Sequence, residues 1–203
     1  MSFLTRLSVW LGSLLVRLTL RRRRAIYTIV FLMDPQGRFV LLRRSHLGKG
    51  PHLDGVVSPV GGKVSSRERN IFAAAAREVR EEVGVFLSRL VLKGVVFIKS
   101  PPAALCYLVG FISSLDGMIK MTKGGREGEV LVGTLEEILL GQEVAPNLPR
   151  VLEILTTGQP FLGFMTSDFE AEFTWWTTSN RILRMISQGL VGPHPPEGYS
   201  TFP

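Results

Sequence analysis

Apolar residues occur along this chain mostly in short runs that are bounded by glycine, proline or polar residues, a pattern typical of strands joined by loops. The first run, residues 25–33, ends at the turn-forming sequence Asp34-Pro35-Gln36-Gly37. A second run follows at residues 38–43, so this part of the chain is predicted to form a β-hairpin. Further strands are predicted at 90–99, 104–113, 130–133, 161–165 and 173–177, and the last two are predicted to form another hairpin.

A helical periodicity appears between residues 71 and 83, where Asn70 is a good N-cap and Gly84 a good C-terminal stop. One face of this helix is predicted to be apolar and to pack on a sheet. Its members are Phe72, Ala75, Ala76, Val79 and Val83. Other helices are predicted to begin at Leu135 and to cover 147–156 and 179–187. Strands and helices alternate unevenly, which favours a mixed α/β sandwich over a regular βαβ sheet.

The net charge of +7 is distributed unevenly along the chain. Residues 1–24 contain six arginines and no acid, and the remainder has 18 basic against 17 acidic side chains. A nearly neutral body gives little support for binding a phosphate backbone, so we expect no nucleic-acid partner. Cys106 is the only cysteine and lies in an apolar run, which favours a buried strand residue over a nucleophile, and the three histidines lack zinc-site spacing.

Leucines recur at helical spacing in residues 1–24, and arginines lie on the opposite side. The segment is too short for a comfortable membrane span. It remains open whether this basic amphipathic segment targets an organelle such as the mitochondrion, contacts a membrane, docks on the body or is a weakly ordered extension. Otherwise we expect a cytoplasmic protein with one domain over 25–191 and a tail rich in proline and glycine at 192–203. No oligomeric state is predicted.

Three glutamates carry the strongest chemical signal. Glu78, Glu81 and Glu82 lie at i, i+3 and i+4 of the predicted helix, which places their carboxylates on one face. Clustered carboxylate oxygens suit Mg²⁺, with Mn²⁺ as a possible substitute, and phosphates and water complete the coordination. The alternative for this string alone is a solvated acidic helix with Arg–Glu pairs.

The segment from Gly62 to Val85 resembles the Nudix box, in which Gly, five residues, Glu and seven residues precede Arg-Glu-aliphatic-X-Glu-Glu-X-Gly-aliphatic. Glu68 matches the first glutamate, and Arg77 opens the second half. Eight residues separate these two, one more than in the family pattern, and we assign the surplus to Arg69. The resemblance implies an α/β/α sandwich around a mixed β-sheet over about residues 25–178.

The resemblance also implies the roles of the box residues. The carbonyl of Gly61 would hold the metal together with Glu78, Glu81 and Glu82. Either of the last two would act as the base, while Glu68 would hold the loop and Arg77. Lys63, just after the Gly-Gly turn, is either a phosphate contact or a solvated lysine. Two other candidate bases, Glu127 and Glu129, are more typical of surface charges.

The flanking segments are similar to those of MutT-type Nudix enzymes, which hydrolyse oxidised purine nucleoside triphosphates. This similarity covers the opening strands and their turn (residues 27–30, 35–36 and 40–42), residues 56–64, Pro146-Asn147 and the strand at 161–165. Two positions depart from those enzymes: Ser58 replaces a base-contacting asparagine, and Asn147-Leu148 replaces two aspartates. Asn147 is either a base contact or a helix N-cap.

The flanks imply Mg²⁺-dependent hydrolysis of a nucleoside triphosphate to a monophosphate and pyrophosphate, with 8-oxo-dGTP among the possible substrates. The alternatives are a Nudix hydrolase of ADP-ribose or another nucleoside diphosphate derivative, and a catalytically silent binding module. Trp175 and Trp176 could stack on a base, but the alternation of a strand favours core packing for at least one of them.

Overall fold

A computed structural model describes residues 25–45, 54–68, 70–113, 128–167, 174–179 and 183. The predictions for 1–24, Arg69, Glu127, the tail at 192–203 and almost all of the helix at 179–187 therefore lie outside the described residues. Among the residues that are described, no helix is long and apolar enough to cross a membrane.

The described chain contains eight strands and three helices. The strands are β1 (Ala25–Met33), β2 (Phe39–Arg44), β3 (Val57–Ser58), β4 (Arg89–Ile98), β5 (Ala103–Phe111), β6 (Gly128–Gly133), β7 (Phe161–Met165) and β8 (Thr174–Thr177). The helices are α1 (Ile71–Val83), α2 (Leu135–Leu139) and α3 (Leu148–Thr156).

All eight strands belong to one mixed sheet in the order β3-β2-β1-β5-β4-β7-β8, with β6 paired to β2. β1 runs parallel to β5, and β4 runs parallel to β7, whereas the other pairs are antiparallel. Both predicted hairpins, β1–β2 and β7–β8, are confirmed. The parallel pairs connect strands that are distant in sequence, which local turn signals do not reveal.

The sheet separates two hydrophobic cores. Apolar residues of α1 fill the core on one face, and those of α2 and α3 fill the core on the other. This arrangement confirms the α/β/α sandwich. Cys106 on β5 is fully buried, as predicted. Trp175 packs against the second core, whereas Trp176 is 44% exposed and stacks on Phe164, so the expected alternation also holds.

The ends of α1 follow from two residues. Asn70 has extended backbone dihedrals, and its side chain accepts a hydrogen bond from the Ala73 amide at 2.8 Å. At the other end, Gly84 adopts a left-handed conformation (φ 77°), and its amide donates to the Arg80 carbonyl. The buried face includes Ala74, whereas the predicted Ala76 is only partly buried. Each large apolar side chain buried here contributes roughly 1.5–3 kcal/mol, so α1 is firmly seated on the sheet.

The Gly61-Gly62 turn is held against β1 by backbone hydrogen bonds on both sides. The amide of Thr28 donates to Gly62 O at 2.9 Å, and that of Val30 donates to Val60 O at 2.7 Å. Gly61 has φ +150°, and a Cβ atom there would lie 2.0 Å from the Thr28 carbonyl oxygen. Only glycine is compatible with this close approach, so Gly61 allows the turn to pack directly on β1.

Candidate active site

Arg77 is the centre of a charged cluster at the surface of α1. Its Nε donates to Glu68 at 2.8 Å, Nη2 donates to Glu78 at 2.8 Å, and Nη1 donates to Glu81 at 2.6 Å. A fourth contact joins Nη2 to the Lys63 carbonyl at 3.3 Å. The hydrogen bond to Glu68, followed by the interactions with Glu78 and Glu81, raises the pKa of Arg77 above its ordinary value. Arg77 therefore binds Glu68 and two of the three glutamates of α1.

Glu68 also binds the loop that precedes α1. Its second carboxylate oxygen accepts a hydrogen bond from the Ser65 amide, while the first is bound by Arg77. The additional residue in the box does not prevent this contact. Glu68 thus joins the loop to α1, which is the role that the resemblance implied.

The third box glutamate has a different partner. Glu82 is almost completely buried and accepts a hydrogen bond from Arg44 Nη1 at 2.6 Å. Its other oxygen accepts from the Gly61 amide at 3.0 Å and lies 3.4 Å from Arg44 Nη2. This carboxylate therefore links α1 to the Gly-Gly turn and to the end of β2.

Gly62 lies against Glu78, the other buried glutamate of the box. A Cβ atom at this position would lie 2.4–2.6 Å from the three carboxylate atoms of Glu78, whose side chain is only 6% exposed. The consecutive glycines 61 and 62 therefore contact Glu82 and Glu78, respectively. Two buried carboxylates at one backbone turn form an oxygen-rich donor set, which is the chemistry that Mg²⁺ prefers.

The three box acids are nevertheless not gathered around one point. Glu81 is 58% exposed and binds the outer side of Arg77. Within the described ranges, no group of three or more Asp, Glu, His or Cys side chains is arranged to hold a metal ion. Both buried acids are paired with arginine: Glu82 with Arg44, and Glu78 with Arg77.

A cavity of about 610 Å³ opens beside the Gly-Gly turn. Beside the turn it is lined by Gly61, Gly62, Lys63, Arg44 and Ser58. Its lining also includes Tyr27, Tyr107, Asn147 and apolar residues of β1, β5 and α3. The three residues predicted to bind substrate (Lys63, Ser58 and Asn147) therefore border one cavity, although their roles in binding stay predictions.

Asn147 precedes α3 but does not cap it. Its backbone is helical (φ −85°, ψ −10°), and its side chain makes no capping hydrogen bond, because that dihedral combination does not direct the side chain back to the first turn. Asn147 therefore occupies the N-cap position, as one alternative predicted, but its side chain does not cap the helix. The amide instead lies 3.4 Å from the Tyr107 hydroxyl, to which Nδ2 donates. Burial raises the pKa of Tyr107, which keeps the phenol protonated.

Ser58 and Glu129 have partners that limit their predicted roles. The Ser58 hydroxyl accepts a hydrogen bond from Arg44 Nε at 2.9 Å and donates to the Pro59 carbonyl at 3.3 Å. Glu129 forms an ion pair with Arg43 and is 61% exposed, which agrees with a surface charge. Lys63 is exposed at the cavity wall.

Sequence reasoning missed Arg44 and Tyr107. The alternation of β2 contained a signal for the first, because consecutive residues of a strand point to opposite faces and one of the pair Arg43-Arg44 must therefore face inward. Tyr107 lies in an almost wholly apolar run, and no local signal marks its hydroxyl as part of a cavity.

Comparisons with known proteins agree with this geometry. The NUDIX domain family model matches residues 22–153. An uncharacterized Nudix hydrolase, NudL of Salmonella paratyphi B, is 30% identical over 177 residues, which cover 86% of this chain and 87% of the relative.

Solved structures share the fold at lower identity. The MutT protein of Bacillus halodurans has a TM-score of 0.57 at 19% identity and covers 74% of this chain and 97% of its own. The NUDIX domain of Shewanella oneidensis NrtR, solved with ADP ribose, has a TM-score of 0.53 at 13% identity and covers 68% of this chain and 89% of its own. The matched family model and the NudL relatives, together with the box on α1, show that the chain belongs to the Nudix hydrolase family.

Proposed function

We propose that this Nudix hydrolase cleaves a nucleoside triphosphate to a nucleoside monophosphate and pyrophosphate, using Mg²⁺ or, in its place, Mn²⁺. The observation that supports this proposal most directly is one cavity whose lining includes both the Gly-Gly turn and Asn147. It combines polar backbone and cationic groups beside the turn with apolar walls and an amide. A nucleotide combines charged phosphates with a largely apolar base that has polar edges.

At the phosphate end, Glu78 and Glu82 would hold the metal with the carbonyl of Gly61, and Glu81 would join them after leaving Arg77. Bound Mg²⁺ would neutralise phosphate charge and supply a positioned water. Lys63 would contact a phosphate from the cavity wall. Arg77 and Glu68 would keep the loop and α1 in register while the acids exchange partners.

We assign the general base to Glu81 in preference to Glu82. The carboxylate of Glu81 is 58% exposed and can reach a water molecule, whereas Glu82 is only 1% exposed and accepts a hydrogen bond from the Gly61 amide. The water oxygen would form a bond to an inner phosphorus, its proton would pass to the carboxylate, and the bond to the pyrophosphate leaving group would break. The products are a monophosphate and pyrophosphate.

Asn147 would read the base edge, since its side-chain carbonyl and amide can both form hydrogen bonds and Tyr107 fixes its orientation. The engagement of Ser58 by Arg44 weakens the case for an oxidised purine specifically, because this hydroxyl is already bonded on the cavity wall. ADP-ribose or another nucleoside diphosphate derivative is therefore the second candidate, and it would use the same phosphate end.

The test is product release from a panel of normal and oxidised nucleoside triphosphates, ADP-ribose and other nucleoside diphosphate derivatives, with and without Mg²⁺. Glu81→Gln is the diagnostic variant, and Glu153→Gln is its matched control. Both glutamates are exposed on a helix and pair with an arginine, but Glu153 lies on α3 and its partner is Arg150. The two variants should therefore have similar stability.

Mg²⁺-dependent pyrophosphate release that is lost in Glu81→Gln and retained in Glu153→Gln is the expected result. Turnover of ADP-ribose alone would select the second candidate. Nucleotide binding without turnover of any substrate in the wild-type protein would instead indicate a silent binding module.

A further inference from the structure

We propose that Arg44 serves two partners in succession: it is the counter-ion of Glu82 before the metal binds, and it becomes a ligand of the substrate phosphates afterwards. This inference rests on the proposed function, because it assumes that Glu82 holds a metal and that phosphates enter the adjoining cavity. It assigns a substrate-binding role to a residue outside the box.

The guanidinium of Arg44 contacts a hydroxyl and a backbone carbonyl as well as Glu82. Nε donates to the Ser58 hydroxyl at 2.9 Å, and Nη2 donates to the Pro59 carbonyl at 3.1 Å. Nη1 donates to one Glu82 oxygen at 2.6 Å, and Nη2 lies 3.4 Å from the other. Only 14% of the Arg44 side chain is exposed, and 1% of that of Glu82. The contacts to Ser58 and Pro59 can hold the arginine in place while the contacts with Glu82 are exchanged.

Arg44 also borders the phosphate end of the cavity, together with Gly61, Gly62 and Lys63. The same guanidinium therefore lies between a buried carboxylate and the space where phosphates would bind. Arginine offers several N–H donors in a rigid plane and binds phosphate oxygens in pairs. A change of partner from Glu82 to a phosphate in this space needs no rearrangement of β2.

Charge balance gives the order of events. A carboxylate as deeply buried as Glu82 is costly when it has no opposite charge beside it. Arg44 supplies that charge through its ion pair with Glu82. A divalent cation at Glu82 would take over this role and repel the guanidinium. The N–H groups of Arg44 would then donate hydrogen bonds to the incoming phosphates. Metal and phosphate should consequently favour each other's binding, since a coupling between two sites is reciprocal.

The adjacent residue on β2 provides a matched control. Arg43 is also paired with a glutamate, but that partner is Glu129 on the neighbouring strand β6, and both side chains are more exposed. Arg43 does not line the cavity. Loss of either arginine removes one positive charge and one ion pair from the same strand, so their comparison isolates the position of Arg44.

The experiment measures two affinities in Arg44→Gln, Arg43→Gln and the wild-type protein: Mn²⁺ alone by electron paramagnetic resonance, and inorganic pyrophosphate in saturating Mg²⁺ by calorimetry. In Arg44→Gln we expect Mn²⁺ to bind about ten-fold more tightly, because a competing positive charge has gone. Pyrophosphate should bind about ten-fold more weakly or worse, because a charge-assisted donor is lost. Arg43→Gln should match the wild type in both affinities.

Arg44→Lys keeps the charge but loses the planar donors, so its Mn²⁺ affinity should return to the wild-type value while its pyrophosphate affinity stays weak. It also serves as the second variant if Arg44→Gln fails to fold. Weaker binding of both ligands, or no change in either, would overturn the proposal, since a purely structural role cannot shift the two affinities in opposite directions. Failure of the wild-type protein to bind either ligand would instead refute the proposed function.

Discussion

Gly62→Ala tests whether the carboxylate of Glu78 must lie against the Gly-Gly turn. The new Cβ atom would lie 2.4 Å from Glu78 Oε1, whereas ordinary contact begins near 3.4 Å, so the carboxylate must move by roughly 1 Å. The φ angle at this position is not in the left-handed region, and alanine adopts the backbone conformation without strain. The effect of the substitution is therefore steric and confined to one side chain.

The magnitudes follow from this displacement. A flexible side chain can yield, so we expect the free energy of unfolding to fall by only about 1–2 kcal/mol, at the lower end of overpacking costs. For a domain of this size, each kcal/mol lowers the melting temperature by roughly 2–4 °C. A misplacement of about 1 Å at a catalytic group lowers kcat/KM by roughly 100-fold. Activity should thus fall far more than stability.

The assay combines thermal unfolding with kcat/KM over a Mg²⁺ titration. Gly133→Ala is the control, because its Cβ would also meet a carboxylate oxygen, at 2.9 Å from Glu137, but in the cap of α2 and not in the cavity. This control should lose a little stability and no activity. Wild-type kcat/KM and an unchanged Mg²⁺ requirement in Gly62→Ala would refute the reasoning, since Glu78 would then tolerate displacement from the turn.

Three further predictions concern single side chains. Burial raises the pKa of Asp34, but hydrogen bonds from Arg38 and the neighbouring backbone more than offset it, so the net pKa is lowered. The stabilisation by ionised Asp34 is therefore complete above the unfolded-state pKa and is lost as pH falls through the folded-state pKa. In thermal scans, Asp34→Asn should be less stable than the wild type at neutral pH. The difference in melting temperature should disappear in acid. Burial raises the pKa of the Cys106 thiol to about 12, so a disulfide reagent at mildly alkaline pH should modify it only after unfolding, and rapid modification of the native protein would contradict its burial. Asn147→Ala should raise KM for the preferred nucleotide about ten-fold with little change in kcat, and Tyr107→Phe should have a smaller effect in the same direction; an equal loss in kcat would indicate a role in the reacting geometry instead.

The sequence predicted those parts of the fold that depend on neighbouring residues. The limits of α1 are an example, because the cap at Asn70 and the stop at Gly84 act within one helical turn. Both hairpins follow from local turn chemistry in the same way. The parallel pairing of β1 with β5 could not be predicted from local patterns, since it is decided by how helices cover the two faces of the finished sheet.

For the candidate site, too, the sequence predicted what depends on neighbouring residues and not what depends on distant ones. Helical spacing predicted that Glu78, Glu81 and Glu82 share a face, but it could not show that Arg77 binds the first two and that the third turns toward β2. The partner of Glu82 lies on β2, which ends at Arg44, 38 residues earlier in the sequence. Helical spacing alone gives no information about so distant a residue.

The charges of this site also explain why its two buried acids are paired with arginines. Two buried carboxylates without a cation would repel each other and lack solvation, so the folded chain needs positive charge at the place where a metal would otherwise supply it. Arg44 meets that need at Glu82, and Arg77 meets it at Glu78. Since each arginine contacts backbone or hydroxyl oxygens as well as its acid, each can release the carboxylate and remain in position. Under the proposed function, folding and metal binding would use the same acids at different times, and the arginines would allow the helix to form before the metal binds.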